Sequence, residues 1–157
     1  MMLEAGRIHF LATRLYQLSR RTMVNIQIEY QGDLHCKATH GPSGVEISTD
    51  APRDNQGRGE SFSPTDLVAT ALGACMLTIM GIAARTLNLD ISGATASVDK
   101  EMTATQPRKI ARLTVRIHVP HLLNPGDQEK LERAAQACPV HKSLHPDIQI
   151  PIEFTWG

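Results

Sequence analysis

The chain has 157 residues, enough for one domain with a real core. Its 16 Lys and Arg balance 16 Asp and Glu, so no global basic field points to nucleic acid, and 4% aromatic content leaves few platforms for stacking single strands. Three cysteines, an odd number, with no secretory signal pattern point to a reducing cytoplasm and to reactive or buried thiols in place of a disulfide framework.

Residues 1–22 differ from the rest. Ile8, Leu11, Leu15 and Leu18 fall on one face of a helix, and Arg7, Arg14, Arg20 and Arg21 make it basic. We expect an extension there, with the domain proper over 23–157. Val24, Ile26, Ile28 and Tyr30 then alternate with polar residues, the period of a half-buried strand. Gly32-Asp33 turns the chain, Leu34, Cys36 and Ala38 alternate in turn, and Gly41-Pro42-Ser43-Gly44 leads into Val45 and Ile47, giving a meander. Cys36 reads as a small core residue. Residues 50–62 form a polar loop with Arg53, Asp54, Arg58 and Glu60; the lysine of a phosphate-binding loop is absent.

Residues 63–87, SPTDLVATALGACMLTIMGIAARTL, dominate the chain. Ser63 can cap a helix, Pro64 suits its first position, and Asp66 lies three residues after the cap, where the helix dipole favours an acid. From 67 to 84 there is no charge and apolar residues fall on every side, so the helix is expected to be buried all round with Cys75 in its middle. About 18 uncharged residues is also the lower edge of a membrane span. Thr70, Gly73, Thr78 and Gly81, the Ala-rich composition and the alternating strands around it favour a helix wedged between sheets, with no membrane partner.

Ala94, Ala96 and Val98 resume the strand period, 103–108 turn, and 111–119 alternate cleanly. Asn124-Pro125-Gly126 ends that unit, 127–137 read as a helix with Leu131, Ala134 and Ala135 inward, and 148–154 make a last strand, placed at an edge by Pro151. The order is that of an α+β domain.

Cys138 opens Cys138-Pro139-Val140-His141-Lys142 at the start of a short helix. The helix dipole, His141 and Lys142 would each favour its thiolate; the alternative is an inert buried cap. Cys75 has no such help, because amides in mid-helix are already bonded. Cys138 and His141 also have half-site spacing for zinc, but two further ligands would have to come from Cys75, Cys36 or scattered histidines. No nucleophile elbow of a serine hydrolase is present.

SPTDLVATALGACM followed by CPVHKSL resembles the OsmC/Ohr family of osmotically inducible and organic hydroperoxide resistance proteins, over roughly 23–156. The resemblance implies an OsmC-like fold, two antiparallel-rich sheets around long central helices, in an intertwined homodimer with sites at the subunit interface. It implies a thiol-dependent peroxidase for organic hydroperoxides, with Cys75 attacking and Cys138 resolving through a disulfide that a dithiol reductant reopens, and no cofactor or metal. Two positions depart from the peroxidase pattern: Thr65 stands where an acid follows the helix-opening proline, and the early turn ATHGPSG carries His40 and no arginine. Glu60 with Arg53 or Arg58 is the expected replacement, and the pattern is closer to the OsmC-like branch. The alternative reading is a non-peroxidase OsmC-like dimer that binds a small hydrophobic or thiol-bearing ligand or acts as a redox-responsive stress protein.

Overall fold

The computed structural model describes residues 23–157, so the basic helix expected over 1–22 lies outside the described residues. The chain divides into two compact units between Asp50 and Ala51.

In the first unit, β1 (Ile26–Gly32), β2 (His35–His40) and β3 (Glu46–Asp50) form an antiparallel meander in chain order. Gly32, Asp33 and Leu34 all have positive φ, so Leu34 belongs to the turn and not, as its alternation with Cys36 suggested, to the strand. Tyr30 pairs with Cys36, and Ile28 with Ala38, which faces Ile47. With a side-chain period of two, these residues and Ile26 share one face, and Gln27, Glu29 and Lys37 the other. The expected half-burial is not found in this unit: Ile28 and Tyr30 are each 63% exposed and Ile47 is 47% exposed. Alternation sorts the faces correctly, but a single three-stranded layer has nothing of its own to cover the apolar one.

The second unit opens with a loop folded back on itself. The Gly57 N–H donates to Pro52 O at 3.1 Å and the Gly59 N–H to Ala51 O at 3.2 Å. A Cβ at Gly57 would lie 1.7 Å from the Ala51 carbonyl oxygen, so only glycine closes this turn. Arg53 to Asn55 make one 3₁₀ turn, and Asp54 is held by Arg108 at 2.8 Å.

Helix α1 (Pro64–Leu87) starts as the sequence dictates. Asp66 N–H donates to Ser63 Oγ at 3.2 Å and Ser63 N–H to Asp66 Oδ2 at 2.8 Å, a reciprocal cap. It ends where Asn88 turns left-handed, with φ 56°. By length and composition α1 could cross a membrane, yet Leu72, Met76 and Met80 are fully buried and it is the core helix of this unit. Within the single chain the buried residues, Ala69, Leu72, Gly73, Met76, Met80 and Ala84, form one face, while Ala71, Ala74, Thr78 and Ile82 are exposed. One sheet and one helix pair can cover only one side of it.

That cover comes from β4 (Thr95–Met102), β5 (Ile110–Val119), β6 (Ile152–Trp156) and the helices α2 (Pro125–Gln136) and α3 (Pro139–Ser143). The sheet order is β4-β5-β6, with β4 antiparallel and β6 parallel to the central β5. Leu113, Val115, Ile117 and Val119 of β5 point into the core; on the other face Arg116 bridges Asp99 at 2.6 Å and Glu153 at 3.3 Å. Pro151 places the last strand at an edge, as expected, but β6 begins after it and not at 148: a proline has no N–H for the ladder, and only its carbonyl takes part, accepting from Val115 N at 2.9 Å. Asn124-Pro125-Gly126, read as a stop, is a start. Asn124 caps α2 by accepting from Asp127 N, and Pro125 takes the first helical position.

Candidate functional site

Two of the predicted site residues meet. Cys75 lies in mid-α1, partly buried, and Cys138, fully buried, is the residue that caps α3. The short turn between α2 and α3 carries Cys138 back onto α1 beside Cys75, whose thiol perturbs it; both thiols are free. The Cys138 Sγ accepts the His141 N–H at 3.3 Å. Burial pushes the Cys138 thiol up; the His141 amide offsets part of this, and the neighbouring Cys75 adds to the rise. The net direction is upward, away from the thiolate that the dipole, His141 and Lys142 would favour and toward the alternative of a buried cap. Burial is the largest cause; the His141 ring sends Nδ1 to the Gln136 carbonyl at 2.9 Å, and Lys142 is exposed. Among the described residues no group of three metal-binding side chains converges.

The loop charges gather elsewhere. Arg53, exposed, donates from Nε to the Arg58 carbonyl at 3.1 Å, within its own loop. Glu60 lines an open groove of about 1090 Å³ with Phe62, Asp66, Ala69, Gly73, Leu77, Val98 and Lys100. Positions 66, 69, 73 and 77 share one flank of α1, and at about 100° per residue Cys75 points to the opposite flank. Cys75 also lies nine residues beyond Asp66, about 13 Å along the axis. The structure thus groups Glu60 and Asp66 with each other but not with the Cys75 thiol.

The sequence reading missed Lys100. Its side chain, 15% exposed, reaches Asp66 Oδ1 at 2.6 Å, Thr65 Oγ1 at 2.8 Å and Ser63 Oγ at 3.4 Å. A signal was available: Lys100 continues the inward phase of Ala96 and Val98 on β4, and a cation at an inward position requires an acid. Burial pushes Asp66 up, but hydrogen bonds from Lys100 and Ser63 outweigh it and hold the carboxyl below its ordinary 3.8. A depressed folded value contributes stability above the unfolded value and loses it as pH falls through the folded one. Asp66→Asn is therefore expected to lower the thermal midpoint at pH 6 and to leave it less sensitive to acid below about pH 4 than the parent. Melting curves across that range check this, and parallel curves would refute it.

The model of a family described as OsmC-like protein matches residues 57–153. A protein from Psychrobacter arcticus 273-4, provisionally named for osmotic stress induction and a detoxification response, is 46% identical over 87% of this chain and 98% of its own, with a TM-score of 0.81. An organic hydroperoxide resistance protein OsmC from Legionella pneumophila has the same fold at 12% identity, covering 87% and 99% of the two chains with a TM-score of 0.71. So does a Vibrio cholerae protein provisionally named for organic hydroperoxide resistance, with captopril bound in one of its active sites, at 17% identity, 87% and 94% coverage and a TM-score of 0.67. No curated protein matches significantly.

Proposed function

The chain belongs to the OsmC-like protein family, and from that premise we propose that it is a cytoplasmic thiol-dependent peroxidase for organic hydroperoxides. The observation that carries this reading is the contact between Cys75 and Cys138. The Cys75 thiolate attacks the distal peroxide oxygen, the alcohol leaves with a proton, and a sulfenic acid remains on Cys75. Cys138 attacks that sulfur, water departs, and a disulfide joins the pair. A dithiol reductant then returns two electrons by exchange. No metal or cofactor is needed for any of these steps.

A partly buried Cys75 needs a cation to favour thiolate. Since Glu60 and Asp66 lie on the far flank of their own helix, a second copy is the source we propose, bringing Arg53 or Arg58, oriented by Glu60, to Cys75 across a homodimer. Two exposed apolar faces support such a dimer: that of β1–β3, with Ile26 and Ile28, and the outer face of α1, with Ile82 57% exposed. Sedimentation at micromolar concentration is expected to give a dimer that Ile82→Asp weakens. A stable, folded monomer of the parent chain would overturn this.

The groove beside Phe62 and Lys100 favours a second reading, a dimer that binds a small hydrophobic or thiol-bearing ligand or answers redox stress without turnover. Steady consumption of cumene hydroperoxide with a dithiol reductant decides between them. Turnover supports the peroxidase; a single equivalent consumed, or none, supports the second reading.

A further inference from the structure

A second cavity, of about 490 Å³, lies where α1 ends and the chain turns toward β4. Its volume is in the range of small-molecule sites, about 300–1,000 Å³. We propose that it binds an apolar monocarboxylate, such as a medium-chain fatty acid, with the carboxylate on Arg85.

Three observations carry this. The first is Arg85, which is exposed and lines the cavity. Arg108, Arg112, Arg116 and Arg133 are each tied to an acid, and Arg53 to a carbonyl. Among the described residues Arg85 is the one arginine with no hydrogen bond or ion pair. Its planar guanidinium offers paired donors that match a carboxylate.

The second is the rest of the wall. Leu77, Leu89, Ile91 and Ala94 give apolar cover, and Asn88 and Ser92 add neutral polar groups. The wall also holds Asp90, whose Oδ1 accepts the Ser92 N–H at 2.8 Å. Hydrogen bonds from Ser92 hold that carboxyl below its ordinary 3.8, so it is ionised at neutral pH. One cation beside one ionised acid suits a single negative charge. A dianion would meet Asp90 with nothing to offset its second charge.

The third is Gly81. Glycine is the poorest helix former after proline, so it calls for a reason inside α1. Gly73 has one, since a Cβ there would lie 3.1 Å from Val98 Cγ2. Gly81 has none within the chain: its backbone is helical and a Cβ there would meet nothing within 4 Å. The space that its missing side chain leaves open is part of the cavity.

This site is apart from the cysteine pair and from the outer face of α1. Arg85 lies about 15 Å along the axis from Cys75. At about 100° per residue, Leu77, Gly81 and Ala84 are turned about 100–160° from Ile82 around the helix. The groove beside Phe62 and Lys100 meets the cavity at Leu77.

The test titrates the reduced full chain, without hydroperoxide, with sodium decanoate below its micelle concentration and with decan-1-ol. One decanoate per chain is expected to bind, at least about tenfold more tightly than the alcohol. Arg85→Gln should weaken decanoate binding by at least about tenfold and leave the alcohol unchanged. Gly81→Leu fills the cavity and suits a helix, so binding of both should vanish while the thermal midpoint holds or rises. Both variants should sediment like the parent. No saturable decanoate binding, equal affinity for the alcohol, or a loss below about threefold in Arg85→Gln overturns the proposal. So does a Gly81→Leu chain that binds decanoate like the parent. A smaller sedimenting species in either variant would assign this flank to a contact between copies and overturn it too. Neither thiols nor peroxide enter the assay, so failure of the peroxidase reading leaves each outcome readable.

Discussion

Cys75→Ser is expected to abolish hydroperoxide reduction, lowering turnover by on the order of 10⁴-fold or more, because a hydroxyl at that point is no nucleophile toward a peroxide oxygen. Nothing else in the described pair can take over: Cys138 is fully buried, and burial pushes its thiol up, away from thiolate. Cys138→Ser should behave differently. One equivalent of hydroperoxide is consumed, a dimedone-trappable sulfenic acid stays on Cys75, and cycling stops for lack of a resolving thiol. Cys36, on the open face of β2, is outside the pair, and Cys36→Ser should turn over like the parent. Peroxide consumption in the presence of a dithiol measures all three. Residual turnover in Cys75→Ser within tenfold of the parent would assign the attack to another residue.

The largest effect on stability is expected at Leu72. It is fully buried on the inward face of α1, in the cluster with Met76, Leu113, Val115 and Leu131. Leu72→Ala removes three methylene-sized groups and leaves a cavity among neighbours fixed on a sheet and two helices. Such changes cost about 2–5 kcal/mol, against a total stability of about 5–15. At this size each kcal/mol moves the midpoint by about 2–4 °C, so a fall of about 10 °C is predicted. The comparison requires equal protein concentration, since an associating chain melts higher when concentrated. A change below about 1 kcal/mol would mean that the core does not pack around this residue.

Much of this was readable from local chemistry. Ser63, Pro64 and Asp66 specify where α1 begins because a cap needs an oxygen, a residue without an N–H and an acid at fixed offsets, and all three are found in those roles. Cys138 before Pro139 marks the start of α3 for the same reason. Local pattern failed where the outcome depends on partners distant in sequence. An all-apolar α1 states that every face must be covered, but not by what, and this chain's second unit covers one face only. Alternation in β1 likewise names the apolar side without supplying its cover. Asp66 was read as a dipole partner, yet its ion pair comes from Lys100, 34 residues on, and only the phase of β4 hints at it. The direction of the Cys138 shift also lay beyond the local reading, because it depends on how deeply the turn is buried and on where the His141 ring points.

The central claim is that Cys75 and Cys138 form one redox couple. Reduced full-length protein, treated with one equivalent of cumene hydroperoxide and digested under non-reducing conditions, is predicted to give a single cross-linked peptide pair containing Cys75 and Cys138, with Cys36 still alkylatable. Recovery of both Cys75 and Cys138 as free thiols, or oxidation confined to Cys36, would contradict it.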